Sequence, residues 1–133
     1  MEPVLVTGQK YLSIRDELLR LEAMLHHPEE GSTRKDLEAM TDELFWEVGA
    51  SGNRYSRSFV LDVLVERVKN PNPDDKWVTR DAWCSEISAG NFLLAYTLIQ
   101  GERVTRRSSI WRKYENSWKV VYHQGTIVQN NMG

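Results

Sequence analysis

Trp118-Lys119-Val120-Val121-Tyr122-His123-Gln124-Gly125-Thr126-Ile127-Val128 is a β-branched, aromatic run that carries a histidine, a glutamine and a threonine near its end. A strand sends successive side chains to opposite faces, so His123 and Gln124 cannot face the same way. One of them points into whatever the sheet encloses, and a polar group placed there needs a partner or a ligand. Working back along the chain, segments 103–114, 92–100 and 76–88 are equally rich in Trp, Tyr, Val, Ile and Thr. Ala89-Gly90-Asn91, Gly101-Glu102 and Glu115-Asn116-Ser117 separate them as turns. Connections this short make antiparallel neighbours, and the spacing predicts a four-stranded meander.

The first half of the chain has a different period. Tyr11, Ile14, Leu18, Leu21 and Leu25 recur at spacings of three and four, the apolar stripe of a helix that His26-His27-Pro28 and Gly31 bring to an end. Thr33-Arg34-Lys35-Asp36 starts a second, shorter helix with a capping box, followed by Leu37 and Met40. A strand is expected over Leu44–Gly49, then a turn at Ser51-Gly52-Asn53. In the third helix Ser56 is the cap, Phe59, Val60, Leu64 and Val68 form the apolar face, and Pro71 and Pro73 close it. The stretch from Asn70 to Asp75 is expected as the most mobile connection, separating elements and not domains. Helices followed by a run of strands predict one α+β domain over residues 1–133, with the three helices packed on one side of a curved antiparallel sheet.

Composition bounds the function. Seventeen Lys+Arg against nineteen Asp+Glu give a formal charge of -2, which argues against nucleic acid as a partner. The single cysteine, Cys84, excludes an intrachain disulfide and fits a reducing compartment. The opening Met1–Gly8 lacks a basic region and a long apolar stretch, and no run approaches membrane-spanning length. A soluble, cytoplasmic domain with no membrane role is expected.

Four blocks carry a resemblance. They are Phe45-x-Glu47-x-Gly49-x-Ser51-Gly52, Tyr55-x-Arg57, Arg107-Ser108-Ser109-x-Trp111-Arg112 and His123-Gln124-Gly125-Thr126. Together with the order helix, helix, strand, helix, meander, they make the chain similar to the nuclear-transport-factor-2-like superfamily, which includes ketosteroid-isomerase-like and polyketide-cyclase-like proteins. Within that group they resemble the family called domain of unknown function 4440. The resemblance implies a cone-shaped half-barrel, a strongly bent sheet wrapped around the long first helix with a pocket at its open end. It also implies a small apolar or amphipathic ligand and a homodimer formed through the sheet face.

Within that frame the candidate ligand-binding residues are Glu47, Tyr55, Arg107, Ser109, Trp111, His123, Gln124 and Thr126, and the candidate catalytic residues are Glu47 and His123. Glu47 shares a strand face with Phe45 and Gly49. Burial there would raise its pKa toward the range of a general base; alternatively it pairs with Arg57, Arg107 or Arg112 as a structural ion pair. His123 is either an acid or base near neutral pH or a donor to a backbone carbonyl or Glu47. Arg107 shares the face of Ser109 and Trp111 and could hold an anionic ligand group. The five tryptophans, Trp46, Trp77, Trp83, Trp111 and Trp118, all fall on expected strands, as core or interface residues or as pocket walls. No metal and no cofactor are expected, because His26 and His27 stand at a helix end away from His123 in the pattern. The leading reading is a small-molecule-binding domain with a polar-lined apolar pocket. A proton-transfer enzyme of isomerase, hydratase or cyclase type, and a protein-interaction or immunity-type module using the sheet face, are the alternatives.

Overall fold

The computed structural model describes residues 1–72 and 76–129 of the chain. Part of the expected loop before the meander, residues 73–75, lies outside the described residues. After a 3-10 turn at Gln9–Tyr11, helix α1 runs Leu12–His26 and α2 runs Arg34–Ala39. Strands β1, Thr41–Val48, and β2, Arg54–Ser56, precede α3, Arg57–Lys69. The meander is β3, Val78–Ser88; β4, Asn91–Gln100; β5, Arg103–Lys113; and β6, Trp118–Ile127.

The helix starts follow from local chemistry. Thr33 Oγ1 accepts from the Asp36 amide while Asp36 accepts from the Thr33 amide, the reciprocal box expected from the sequence. Ser56 caps α3 by accepting from the Phe59 amide at 3.2 Å. Leu61 and Leu64, more than Phe59, form the buried edge of that helix.

The six strands form one sheet in the order β2-β1-β6-β5-β4-β3. Two features correct the sequence reading. The three-residue strand β2 has no counterpart among the expected strands, and β1 pairs with β6 in parallel, so the sheet is mixed and not antiparallel throughout. Trp77 also precedes β3 and does not lie on a strand. The sheet bends where strands carry an extra residue. One irregularity sits between Arg80 and Trp83, where Asp81 takes a φ of 57°. Another sits in β6, where Tyr122 pairs with Ile110 but Val120 with Trp111, leaving Val121 over.

The concave face holds the core. Leu18 of α1, Phe45, Leu94, Leu98, Trp111 and Val120 are buried there, with Tyr11, Ile14, Leu21 and Leu25 packed against them. The stripe expected from the sequence is thus the face of α1 that the sheet wraps. On the convex face Leu44 and Trp46 remain exposed, and Trp46 meets Tyr122 edge to face at 4.9 Å. Cys84 is a free, buried thiol whose pKa burial pushes up to about 11, which makes it an inert core residue. Among the described residues no helix is long and apolar enough to cross a membrane.

Candidate functional site

Between the sheet, the end of α1 and α3 lies a partly open cavity of about 290 Å³. Its apolar walls come from Leu25, Phe45, Val60, Val63, Leu64 and Val120, and Tyr55 and Phe59 stack at 5.0 Å beside it. Into this apolar frame project Glu22, His26, Glu47, Arg107 and His123, with Arg67 and Arg103 on the lining as well.

The β6 bulge decides which side chains of the last strand enter the cavity. Val120 and His123 are three residues apart and would face opposite ways on a regular strand. The extra residue Val121 resets the alternation, so both are buried on the concave side. His123 faces in. Gln124 and Thr126 pair with Ser108 and Arg106 on the convex face, beside residues 2–5, and do not line the cavity as expected. Gln124 there accepts a hydrogen bond from the Tyr122 hydroxyl at 2.7 Å.

Ser109 and Trp111 do face inward but sit behind the cavity, both with no exposed surface. Ser109 donates to the Glu22 carboxyl and so holds the helix against the sheet. Tyr55 and Glu47 do line the cavity. No arginine pairs with Glu47 within 4.0 Å among the described residues. Arg57 donates to Thr41 Oγ1 and to the Glu38 and Thr41 carbonyls, and Arg112 pairs with Asp42 at 3.1 Å. The titratable side chain beside Glu47 is instead the imidazole of His123, whose Nδ1 stands 3.9 Å from Glu47 Oε1.

Burial in the cavity pushes the acids up and the imidazoles down, each toward its uncharged form. Burial pushes Glu22 up to about 7, against the opposing pull of the Ser109 hydroxyl and of the Trp111 indole N–H. That N–H leans toward the carboxyl but falls short of hydrogen-bond geometry, so its help is electrostatic. Burial also raises Glu47, with Arg107 and Arg67 opposing. His123 is held down to about 3 by burial and then by the nearby Arg107. His26 keeps some accessible surface toward the cavity yet is ringed by protein, and burial together with His123 holds it well below the ordinary imidazole value.

Arg107 is the exception to this neutrality. It is 9 % exposed, and its Nε donates to Thr105 Oγ1 at 2.9 Å. No carboxylate lies within 4.0 Å of its guanidinium among the described residues. Gly125 makes room for it, because a Cβ at that position would stand 2.6 Å from Arg107 Nη1.

Two residues escaped the sequence reading. Glu22 sits one helical turn after Leu18 and one before His26, on the stripe that the sheet buries. Its spacing was the available signal; its charge disguised it. His26 was set apart from His123, yet the two rings stand 5.8 Å apart, because the curved sheet carries β6 across the C-terminal end of α1.

Neither a protein-family model nor a curated protein matches the sequence. Solved structures do. An uncharacterised protein with a cystatin-like fold from Caulobacter vibrioides is 16% identical with a TM-score of 0.67, the match covering 92% of each chain. A nuclear-transport-factor-2-like protein of unknown function in nutrient uptake from Rhodospirillum rubrum is 17% identical at a TM-score of 0.64, covering 89% of this chain and 98% of that one. A protein of the domain of unknown function 3225 family from Pectobacterium atrosepticum is 16% identical at 0.65, covering 97% and 99%. The chain therefore has the nuclear-transport-factor-2-like, cystatin-like fold. These likenesses carry the fold alone and do not single out the domain of unknown function 4440 within it.

Proposed function

We propose that this chain binds a small, largely apolar molecule bearing an anionic group, with Arg107 as the anchor for that group. The observation that carries this reading is the guanidinium of Arg107, buried at a cavity wall without a carboxylate partner. A buried cation of this kind is costly unless something neutralises it. The carboxyls that share the cavity act on it only from beyond 4.0 Å, and burial raises the pKa of both. An incoming carboxylate completes the site, and the surrounding aliphatic and aromatic walls take its apolar body.

A thermal-shift and calorimetric panel of aryl and alkyl carboxylic acids, each set against its amide, tests this. The acids are expected to bind and the amides not. Arg107→Met is expected to weaken acid binding roughly 10- to 100-fold, the range for loss of one charge-assisted hydrogen bond. Gly125→Ala, which pushes the guanidinium out of place, should act in the same direction. Amides binding as well as acids, or undiminished binding by Arg107→Met, overturns the reading.

Two copies of the chain are proposed to pair through the convex face of the sheet. Exposed Leu44 and Trp46, with Tyr122 alongside, support this, since apolar side chains grouped on a sheet face favour a protein partner over water. Sedimentation at micromolar concentration should show a dimer that Trp46→Glu converts to monomer. A monomeric parent protein ends the proposal.

A further inference from the structure

We infer that Glu22, His26 and His123 form a binding site for one divalent transition-metal ion, open on its remaining side to the cavity. The three side chains each offer a donor atom, and those atoms lie within 4.8 Å of one another. Donors about 2.0–2.2 Å from a common ion stand roughly 3–4 Å apart, so small side-chain rotations close the set. Glu22 and His26 come from one face of α1 at a spacing of four, which fixes their separation. His123 reaches them from β6, and the Val121 bulge is what turns it inward.

An independent observation points to an occupant. His123 Nε2 is buried and has no hydrogen-bond partner among the described residues, and the residue is 7 % exposed. A buried ring nitrogen is costly to leave unmet, so something is expected to meet it. Its other nitrogen, Nδ1, faces Glu47 at 3.9 Å. A carboxylate behind a ligating imidazole is the usual arrangement for orienting the ring and raising its basicity toward the ion.

The donor set narrows the ion. Two imidazoles and one carboxylate suit zinc, iron(II), cobalt(II) or nickel(II), while magnesium and calcium prefer sites built of oxygen. Arg107 opposes a second cation nearby; binding of the ion draws the proton off Glu22, and the carboxylate so formed offsets that opposition. Three protein donors leave coordination positions free on the cavity side, as in metal sites that take a further ligand.

Untagged protein stripped with chelator and titrated with cobalt(II) tests the site through the visible absorption of the bound ion and through calorimetry. One equivalent is expected. His123→Ala and Glu22→Gln are each expected to weaken cobalt(II) binding by at least about 100-fold, since even partners behind the ligands are worth 10- to 100-fold. His27→Ala, beside the site but outside it, should leave binding unchanged. Glu22→Gln keeps the donor geometry and the Ser109 hydrogen bond, so it reports on the site even where His123→Ala does not fold. Absence of stoichiometric binding, equal binding by Glu22→Gln, or loss of binding in His27→Ala overturns the inference.

Discussion

Glu22→Gln is expected to stabilise the metal-free protein by roughly 3 kcal/mol at pH 8 and to leave its stability unchanged near pH 4. The carboxyl is 1 % exposed, and burial raises it from the ordinary 4.5 to about 7. Below pH 4.5 the acid is protonated both folded and unfolded, and titration adds no term. Between 4.5 and about 7 the unfolded chain has released the proton while the folded chain retains it. Folding is then disfavoured by about 1.4 kcal/mol for each further pH unit, and above 7 the penalty is constant. Glutamine cannot ionise, keeps an oxygen for the Ser109 hydroxyl, and removes the penalty. His26 and His123 contribute in the opposite sense: their depressed values make the fold lose stability as pH falls below about 6.5. Both proteins share that contribution, so the difference between their denaturation curves isolates Glu22. Arg107, Glu47 and Tyr96 also act electrostatically with Glu22 and are common to both. A difference that does not grow between pH 4 and 8 would show that the carboxyl is not buried against Ser109 and Trp111 as described.

Trp111→Ala is expected to cost roughly 3–5 kcal/mol, the range for truncating a large buried aromatic residue. In a domain of this size that lowers the melting temperature by roughly 10–20 °C. Trp111 has no exposed surface, lies near the C-terminal end of β5, and belongs to the same buried cluster as Leu18 of α1, Phe92 and Val120. Its removal opens a void that the strands on either side cannot close, because their register is fixed by backbone hydrogen bonds. Trp111→Phe separates packing from polarity. The indole Nε1 makes no hydrogen bond, so phenylalanine should cost much less than alanine. Chemical denaturation of the three proteins measures this. If phenylalanine costs as much as alanine, the indole nitrogen has a partner and the account of Glu22's surroundings is wrong.

The architecture was legible because its signals are local. Thr33 and Asp36 announce a helix start by their own hydrogen bonds, and Ser56 does the same for the third helix. Turns of two to four residues leave the meander no choice but antiparallel pairing. The parallel pairing of β1 with β6 was not legible, since it joins segments far apart in the chain and has no local signature. Arg107 and Glu47 were legible as cavity residues because β1 and β5 alternate regularly there.

The last strand shows where local reading stops. Its composition was enough to say that His123 and Gln124 face opposite ways, and that one of them meets the interior. Which one depended on Val121, an extra residue that exists as a bulge only relative to the neighbouring strand β5. Glu22 is the same case on a helix: its position on the apolar stripe was visible, but whether a charged side chain is buried depends on what covers it. The sequence by itself determined the helix stripe, the caps, the meander and the polarity of the final strand, all set by interactions within a few residues. Only the tertiary structure brought Glu22, His26 and His123 to one point, because sheet curvature and strand register arise from contacts between distant segments and from nothing in any one of them.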